Sequence, residues 1–232
     1  PRDWSSDVCS SDLFAWLTRH LDDHPDLRCT ATDVTPGIVM LGVMGPRSRE
    51  LQNAMLARAY LMQGMNSDDV VHSVYGFGMV NGGHYIRETV SHWIGARLLS
   101  AGTGVETRSA QQAALMRDFG ATVLVGFGDF LRRLAEVAPE NGIEPGRDIR
   151  LRMITGHLGP EGREPISTVW GGCPVYDWYG VADTGIIAGE GPDDAGLYVW
   201  EDAHWLELLD IETSVINPPS NSAIILECRK FP

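Results

Sequence analysis

From about residue 66 onward, short apolar runs alternate with stretches whose apolar residues recur every three or four positions. Alternating strand and helix periods predict a mostly parallel sheet flanked by crossover helices. Val70 to Tyr75 reads as a strand opening into a turn at Gly76, Phe77 and Gly78, followed by a helix over Gly83 to Ile94 and a strand over Ala96 to Ser100. Ser109 to Phe119 has helical composition, Gly120 supplies a stop, and Ala121 to Val125 is the next strand. Phe127, Phe130, Leu131, Leu134 and Val137 or Ala138 then keep the i, i+3, i+4, i+7 spacing of a helix packing one face, which Pro139 and Gly142 end. Ile149, Leu151 and Met153 alternate with Arg150 and Arg152, predicting a strand near a sheet edge. A helical stretch from Pro160 to Trp170 leads into a strand that ends at Tyr179.

Beyond Gly185 the pattern changes to hairpins, with strands at Leu197 to Trp200 and Trp205 to Leu209 and a turn over 217–220. The expected fold class is α/β, a mostly parallel sheet followed by antiparallel β-hairpin elements. Upstream, Arg49 to Met62 is a good helix by propensity, while Thr30 to Gly45 holds short strand-like pieces broken by glycines and Pro36. Four divisions follow: 1–13, 14–65, an α/β core over 66–185, and a β-rich segment over 186–232.

Length and charge narrow the function. A chain of 232 residues with 44% apolar and 21% charged content can bury a substantial core. Its net charge of −13 argues against nucleic acid as a partner, since affinity for that polyanion comes largely from Lys and Arg on phosphates. A nucleotide stays possible, because backbone N–H groups and a metal ion can hold small phosphates. Cys9, Cys29, Cys173 and Cys228 have no C-x-x-C spacing, which fits reduced thiols in a cytoplasm. No apolar run approaches the roughly 18 to 20 residues that span a bilayer, so a soluble, unexported protein without a membrane partner is expected. Residues 1–13 repeat Ser-Ser-Asp and resemble translated sequencing-adapter read-through, with a disordered natural N-terminus as the other reading. The end just after the apolar run from Ile224 reads as an interrupted gene.

Candidate chemistry gathers where connecting loops leave the carboxyl ends of strands. Three loops fall there: Tyr75 to Gly83, Thr155 to Gly159, and Tyr179 to Gly185. The first mixes aromatic rings with glycines, so backbone can approach a flat ligand, or it is a glycine-rich turn with core aromatics. The second carries His157, which could face a ligand or simply meet solvent. In the third, Asp183 lies four residues past the Tyr179 ring with Gly180 between them. A ring on a nucleobase and a carboxylate holding magnesium on a phosphate suit an adenine nucleotide. The plainer reading makes Tyr179 a packed ring and Asp183 a cap. The acidic group Glu201, Asp202, Glu207 and Asp210 is interleaved with Trp200, Trp205 and Leu206, which favours a solvated face over a hydrolytic pair.

Taken with Leu197 to Thr213 downstream, the run Val175 to Gly185 resembles the phenylacetate–coenzyme A ligase family of adenylate-forming enzymes. The turn Tyr75 to Gly83 is similar to that family's Tyr-Gly-Tyr-Gly-Leu-Phe-Thr-Gly-Gly stretch, Thr155 to Gly159 stands at its Gly-Ala-Glu-Pro-like turn, and Leu197 to Thr213 holds its Trp-Glu-Asp-His-Phe-like signature. The resemblance covers about residues 28–226 and implies part of the large N-terminal domain. It implies ATP-dependent activation of a carboxylic acid, aryl or arylacetic, to an acyl adenylate and transfer to coenzyme A. ATP, Mg2+ and coenzyme A would be the cofactors, a homodimer the possible assembly. Tyr75, Gly76, Phe77, Val80 and Gly156 would form the acid pocket; Gly156, His157, Tyr179, Gly180, Asp183 and Thr184 the nucleotide site; Asp183 the catalytic metal partner.

The chain also departs from the family. Asp183 replaces the usual glutamate, Ala182 the usual Ser or Thr, and Val80 a phenylalanine, leaving room for a bulkier or non-aromatic acid. Thr32 to Ile38 stands at the phosphate loop without its lysine, and Asp33 would repel phosphates. The ribose-binding aspartate, hinge and C-terminal lysine of the family would lie beyond Pro232. A catalytically impaired nucleotide- or acid-binding homologue is the alternative, and weak or no turnover is expected of these residues alone.

Overall fold

The structure is a computed structural model that describes residues 48–78, 81–159, 162–181, 185–193 and 196–200, with the backbone of 208–209 and 216–217. All lie in the compact unit Pro46–Pro232. Helix α1 (Ser48–Met62) is followed by strand β1 (Val70–Ser73), helix α2 (Asn81–Glu88), a π-helical segment (Thr89–Ile94) and β2 (Arg97–Ser100). Then come α3 (Ser109–Asp118), β3 (Val123–Phe127), α4 (Gly128–Glu140), β4 (Met153–His157), α5 (Arg163–Val169) and β5 (Val175–Val181). Strands β6 (Gly185–Glu190), β7 (Leu197–Val199), β8 (Leu208–Leu209) and β9 (Ile216–Asn217) complete the order.

One seven-stranded sheet runs β2-β1-β3-β4-β5-β6-β7, with β8 and β9 paired separately. The first five strands are parallel, whereas β6 is antiparallel to β5 and β7 antiparallel to β6. This is the mixed α/β class that the sequence pattern predicts. From β1 the chain goes outward to β2, then returns to place β3 on the other side of β1. The loops leaving β1 and β3 therefore diverge, which makes this edge of the sheet the natural ligand crevice.

Period-two alternation divides the side chains between two layers. On one face Val71, Tyr75, Val123, Val125, Met153, Trp178 and Ile186 pack with Met55, Leu56, Ala59 and Tyr60 of α1 and Ile86 of α2. On the other, Val74, Leu124, Ile154 and Val175 pack with Met116 of α3, Leu131 and Leu134 of α4, and Ile166 of α5. Trp170 fills this second layer, and its indole N–H donates to the Leu131 carbonyl at 3.1 Å. At the amino end of the parallel strands, buried Asp69 takes a bidentate hold from Arg152 and a 2.8 Å hydrogen bond from the Thr122 hydroxyl. The Arg152 guanidinium also reaches the Gly64 carbonyl at 2.8 Å, so one ion pair joins the turn before β1 to the approaches of β3 and β4.

Several boundaries differ from the sequence reading. The strand expected around Ile149 begins only at Met153, and it is a central strand, not an edge. The alternation of Arg150 and Arg152 arose because Arg152 is drawn out of the apolar pattern to neutralise Asp69. Phe127 ends β3 and does not begin the helix face, and Pro139 sits inside the last turn of α4, where it is tolerated. The helix over Gly83 to Ile94 becomes α2 plus a π-helical turn, closed by Gly95 at φ 78°. Antiparallel pairing starts with β6 at Gly185, where the sequence pattern changes to hairpins, whereas Asn217, expected in a turn, belongs to β9. The expectations for residues 1–47, including the phosphate-loop position Thr32 to Ile38, lie outside the described residues.

Candidate functional site

The carboxyl ends of β1, β3, β4 and β5 bring four rings together. Tyr75, two residues past β1, is buried, and its ring centroid lies 4.4 Å from that of Phe127 and 6.4 Å from that of Trp178. His157 ends β4, with its imidazole 3.9 Å from the Trp178 ring and 5.8 Å from Phe127. Phe127 is 41% exposed, so the cluster has an apolar rim open to solvent. The register explains the meeting. Phe127 pairs with His157 and Gly156 with Asp177, so the next residues, His157 and Trp178, face the same way as neighbours across β4 and β5.

Polar contacts fix the imidazole. Tyr75 Oη and His157 Nδ1 are 2.8 Å apart, and the ring also hydrogen-bonds the Gly180 backbone. With a ring N–H given to that carbonyl, Nδ1 accepts from the tyrosine hydroxyl. Burial lowers the His157 pKa, against the opposing charge of Asp177 and the bond to Gly180, so the ring is neutral at pH 7. Burial pushes the Tyr75 phenol far above its ordinary value, keeping its proton in place. Asp177 accepts from the Leu158 and Trp178 N–H groups at 3.1 and 2.9 Å, and burial raises its pKa despite those bonds.

The glycine turn after β1 is held by its own contacts. Glu106, in the loop after β2, accepts from the Phe77 N–H at 2.9 Å and from the Thr103 N–H at 2.7 Å. These backbone bonds lower its pKa. The Gly83 N–H donates to the Gly76 carbonyl at 3.0 Å, and the His84 ring donates to the Phe77 carbonyl at 2.8 Å. A Cβ on Gly82 would lie 2.9 Å from the Tyr75 ring, so this glycine lets α2 begin directly against the aromatic cluster.

Of the sequence-derived candidates, Tyr75, His157 and the Gly180 backbone are joined directly. Gly76 and Phe77 lie in the adjoining turn, where Phe77 stands edge-on to His84 at 5.6 Å. Tyr179 is 48% exposed, two residues before the end of β5. Gly156 and Gly180 are required by the sheet itself. A Cβ on Gly156 would meet the Gly126 backbone, and one on Gly180 would meet the Gly185 backbone. Val80, Asp183 and Thr184 lie outside the described residues. Phe127, Trp178 and Glu106 were not singled out in the sequence. Period two from Tyr176 would have put Trp178 on the inner face, whereas nothing local marks Glu106.

A mostly parallel sheet extended by antiparallel strands is a fold shared with adenylate-forming acid–coenzyme A ligases. Two crystal structures of 2-hydroxyisobutyryl-CoA ligase carry it. One, an open conformation in complex with 2-HIB-AMP and CoA, superposes with TM-score 0.62 at 20% identity over 68% of this chain and 38% of that one. Another, in the postadenylation state with 2-HIB-AMP, superposes with TM-score 0.61 at 20% identity over 68% of this chain and 34% of that one. In sequence, the chain is 27% identical over 180 residues to a phenylacetate-coenzyme A ligase of Pseudomonas putida. That match takes in 71% of this chain and 37% of the relative, so the chain spans well under half the length of the curated protein it matches. No family model matches. The likeness to phenylacetate–coenzyme A ligases thus extends from the motifs to the alignment as a whole.

Proposed function

We propose that this chain is the core of an acid–coenzyme A ligase large domain, whose parent enzyme uses ATP to convert a carboxylic acid to an acyl adenylate and passes the acyl group to coenzyme A. The observation that carries the reading is the convergence of Tyr75 from the turn after β1, His157 from the end of β4 and Gly180 from β5 on one crevice at the carboxyl edge of the sheet. Such chemistry depends on holding a carboxylate and an α-phosphate in line, which positioning and electrostatics supply. The acid would enter against the turn at Tyr75, Gly76 and Phe77, with Val80 widening the pocket and an aryl or arylacetic acid the substrate class. The nucleotide base would lie beside Gly156, His157 and Tyr179, and the partial exposure of Tyr179 supports that role. ATP and coenzyme A would bind as cosubstrates. Among the described residues no group of His, Cys, Asp or Glu forms a metal site, so magnesium would depend on Asp183 with Thr184 beside it.

No helix among the described residues is long and apolar enough to cross a membrane. The reading places the enzyme in the cytoplasm, working on small molecules, and as a homodimer. Acid-dependent exchange of pyrophosphate into ATP by the full-length parent, over a panel of aryl and arylacetic acids, tests it. Exchange with at least one such acid is expected; none across the panel, with AMP still bound, would reduce the protein to a binding homologue.

A further inference from the structure

His157 is more than one wall of the crevice. Its ring is tied on one side to Tyr75, in the loop after β1, and on the other to the backbone of Gly180, near the end of β5. Trp178 packs on it at 3.9 Å, leaving it little rotational freedom. The imidazole itself ends β4, so a single ring spans the carboxyl edge of the sheet from the glycine turn to the Tyr179 segment. We propose that His157 is a positioning residue that couples the two halves of the crevice, so that filling the glycine-turn half changes affinity in the Tyr179–Gly180 half.

The coupling rests on the proposed function, which assigns the acid to the first half and the nucleotide to the second. Its physical basis is the absence of slack. Tyr75 is 5% exposed, so its hydroxyl cannot exchange the imidazole for bulk water without cost. A ligand pressing on the phenol must either break that hydrogen bond or move the imidazole, and the imidazole carries the Gly180 carbonyl with it. Buried, fully paired networks behave in this two-ended way because no member relaxes alone. Burial also keeps His157 neutral at pH 7, preserving Nδ1 as an acceptor.

The test is calorimetric titration of AMP into the 232-residue chain, with and without saturating phenylacetate. For the unmodified chain the acid is expected to shift the AMP Kd by about fivefold or more, the lower end of ordinary allosteric couplings. His157→Phe keeps a flat ring beside Trp178 and loses both hydrogen bonds, whereas Tyr75→Phe loses one. Each is expected to bring the shift below about twofold, and the double variant to behave like either single one, as two members of one linkage should. Long-range nitrogen correlation spectra should show His157 as one neutral tautomer with Nδ1 unprotonated, and the Nδ1 resonance should move in Tyr75→Phe as its hydrogen bond is lost. An acid-dependent shift retained in the variants, or absent from the unmodified chain while AMP binds, overturns the coupling alone. No AMP binding by the unmodified chain overturns the coupling in this chain, while pyrophosphate exchange by the full-length parent decides the proposed function separately. Should His157→Phe not fold, Tyr75→Phe decides between these outcomes.

Discussion

Replacing Gly156 by alanine separates a glycine needed for folding from one needed only for a ligand. Gly156 pairs with Gly126 at the centre of the sheet, and the new Cβ would lie 2.8 Å from the Gly126 carbonyl carbon and closer still to its oxygen. Ordinary contact begins near 3.4 Å, so β3 and β4 must part by more than the roughly 0.6 Å that the carbon alone requires, since the oxygen is the nearer atom. Both strands are hydrogen-bonded on each side and packed on both faces, so the strain has no flexible side chain to absorb it. Overpacking a core costs about 1–3 kcal/mol. Stretching one or two ladder hydrogen bonds adds about 1 kcal/mol each. A loss of about 3 kcal/mol corresponds to a fall in Tm of roughly 6–12 °C for a domain of this size. Gly78 is the control, since nothing lies within 4 Å of its Cβ position and its φ is not positive. Thermal melts followed by far-ultraviolet circular dichroism should show Gly156→Ala well below the parent and Gly78→Ala within about 2 °C of it. Equal melting of Gly156→Ala and the parent would refute the close-approach argument and return this glycine to a purely ligand-facing role.

Three further outcomes follow from the packing and the charges. Arg152→Met leaves the buried Asp69 carboxylate without its cation, and urea unfolding at pH 7 should show a loss of about 2 kcal/mol, below the full cost of breaking a buried pair because Arg152 is partly exposed. The Asp69 pKa is lowered: burial works upward, but hydrogen bonds from Arg152, Asn66 and Thr122 prevail. Its contribution is therefore present above the ordinary value of 3.8 and is lost as pH falls through the lower folded value. Acid titrations of stability should show that loss in the parent and less of it in Arg152→Met. Trp170→Ala empties the layer beneath α4 and α5 and frees the Leu131 carbonyl, so unfolding by urea should show a cost of about 3–5 kcal/mol. Glu106→Ala removes the acceptor for two backbone N–H groups, so amide exchange at Phe77 and Thr103 should quicken while the Tm stays within about 2 °C. Exchange unchanged at both amides would show that the glycine turn holds itself.

The order of helices and strands was legible because burial imposes it locally. Strands covered on both faces must be apolar throughout, as at Val123 to Val125, and the helix between β3 and β4 must carry an apolar stripe, as Leu131, Leu134 and Ala138 do. The glycine turn and the aromatic run near Tyr179 were readable for a related reason, since their composition departs from that of either element. Boundaries were less legible where a charge interrupted the pattern. Arg152 looked like the solvent side of an edge strand, yet it precedes a central strand and answers Asp69, 83 positions away.

By itself, then, the sequence determined the elements, the parallel-to-antiparallel change, and three loops rich in glycine and aromatic residues. It could not determine which residues of those loops would touch. Tyr75 and His157 are 82 positions apart and meet only because β1, β3 and β4 lie side by side in one register. Trp178 joins them because a strand sends alternate side chains to opposite faces, and Glu106 reaches the glycine turn because β2 lies on the far side of β1. Periodicity depends on a residue's near neighbours and is written locally, whereas a site is assembled by strand order, which is decided only when distant segments compete to bury their apolar faces.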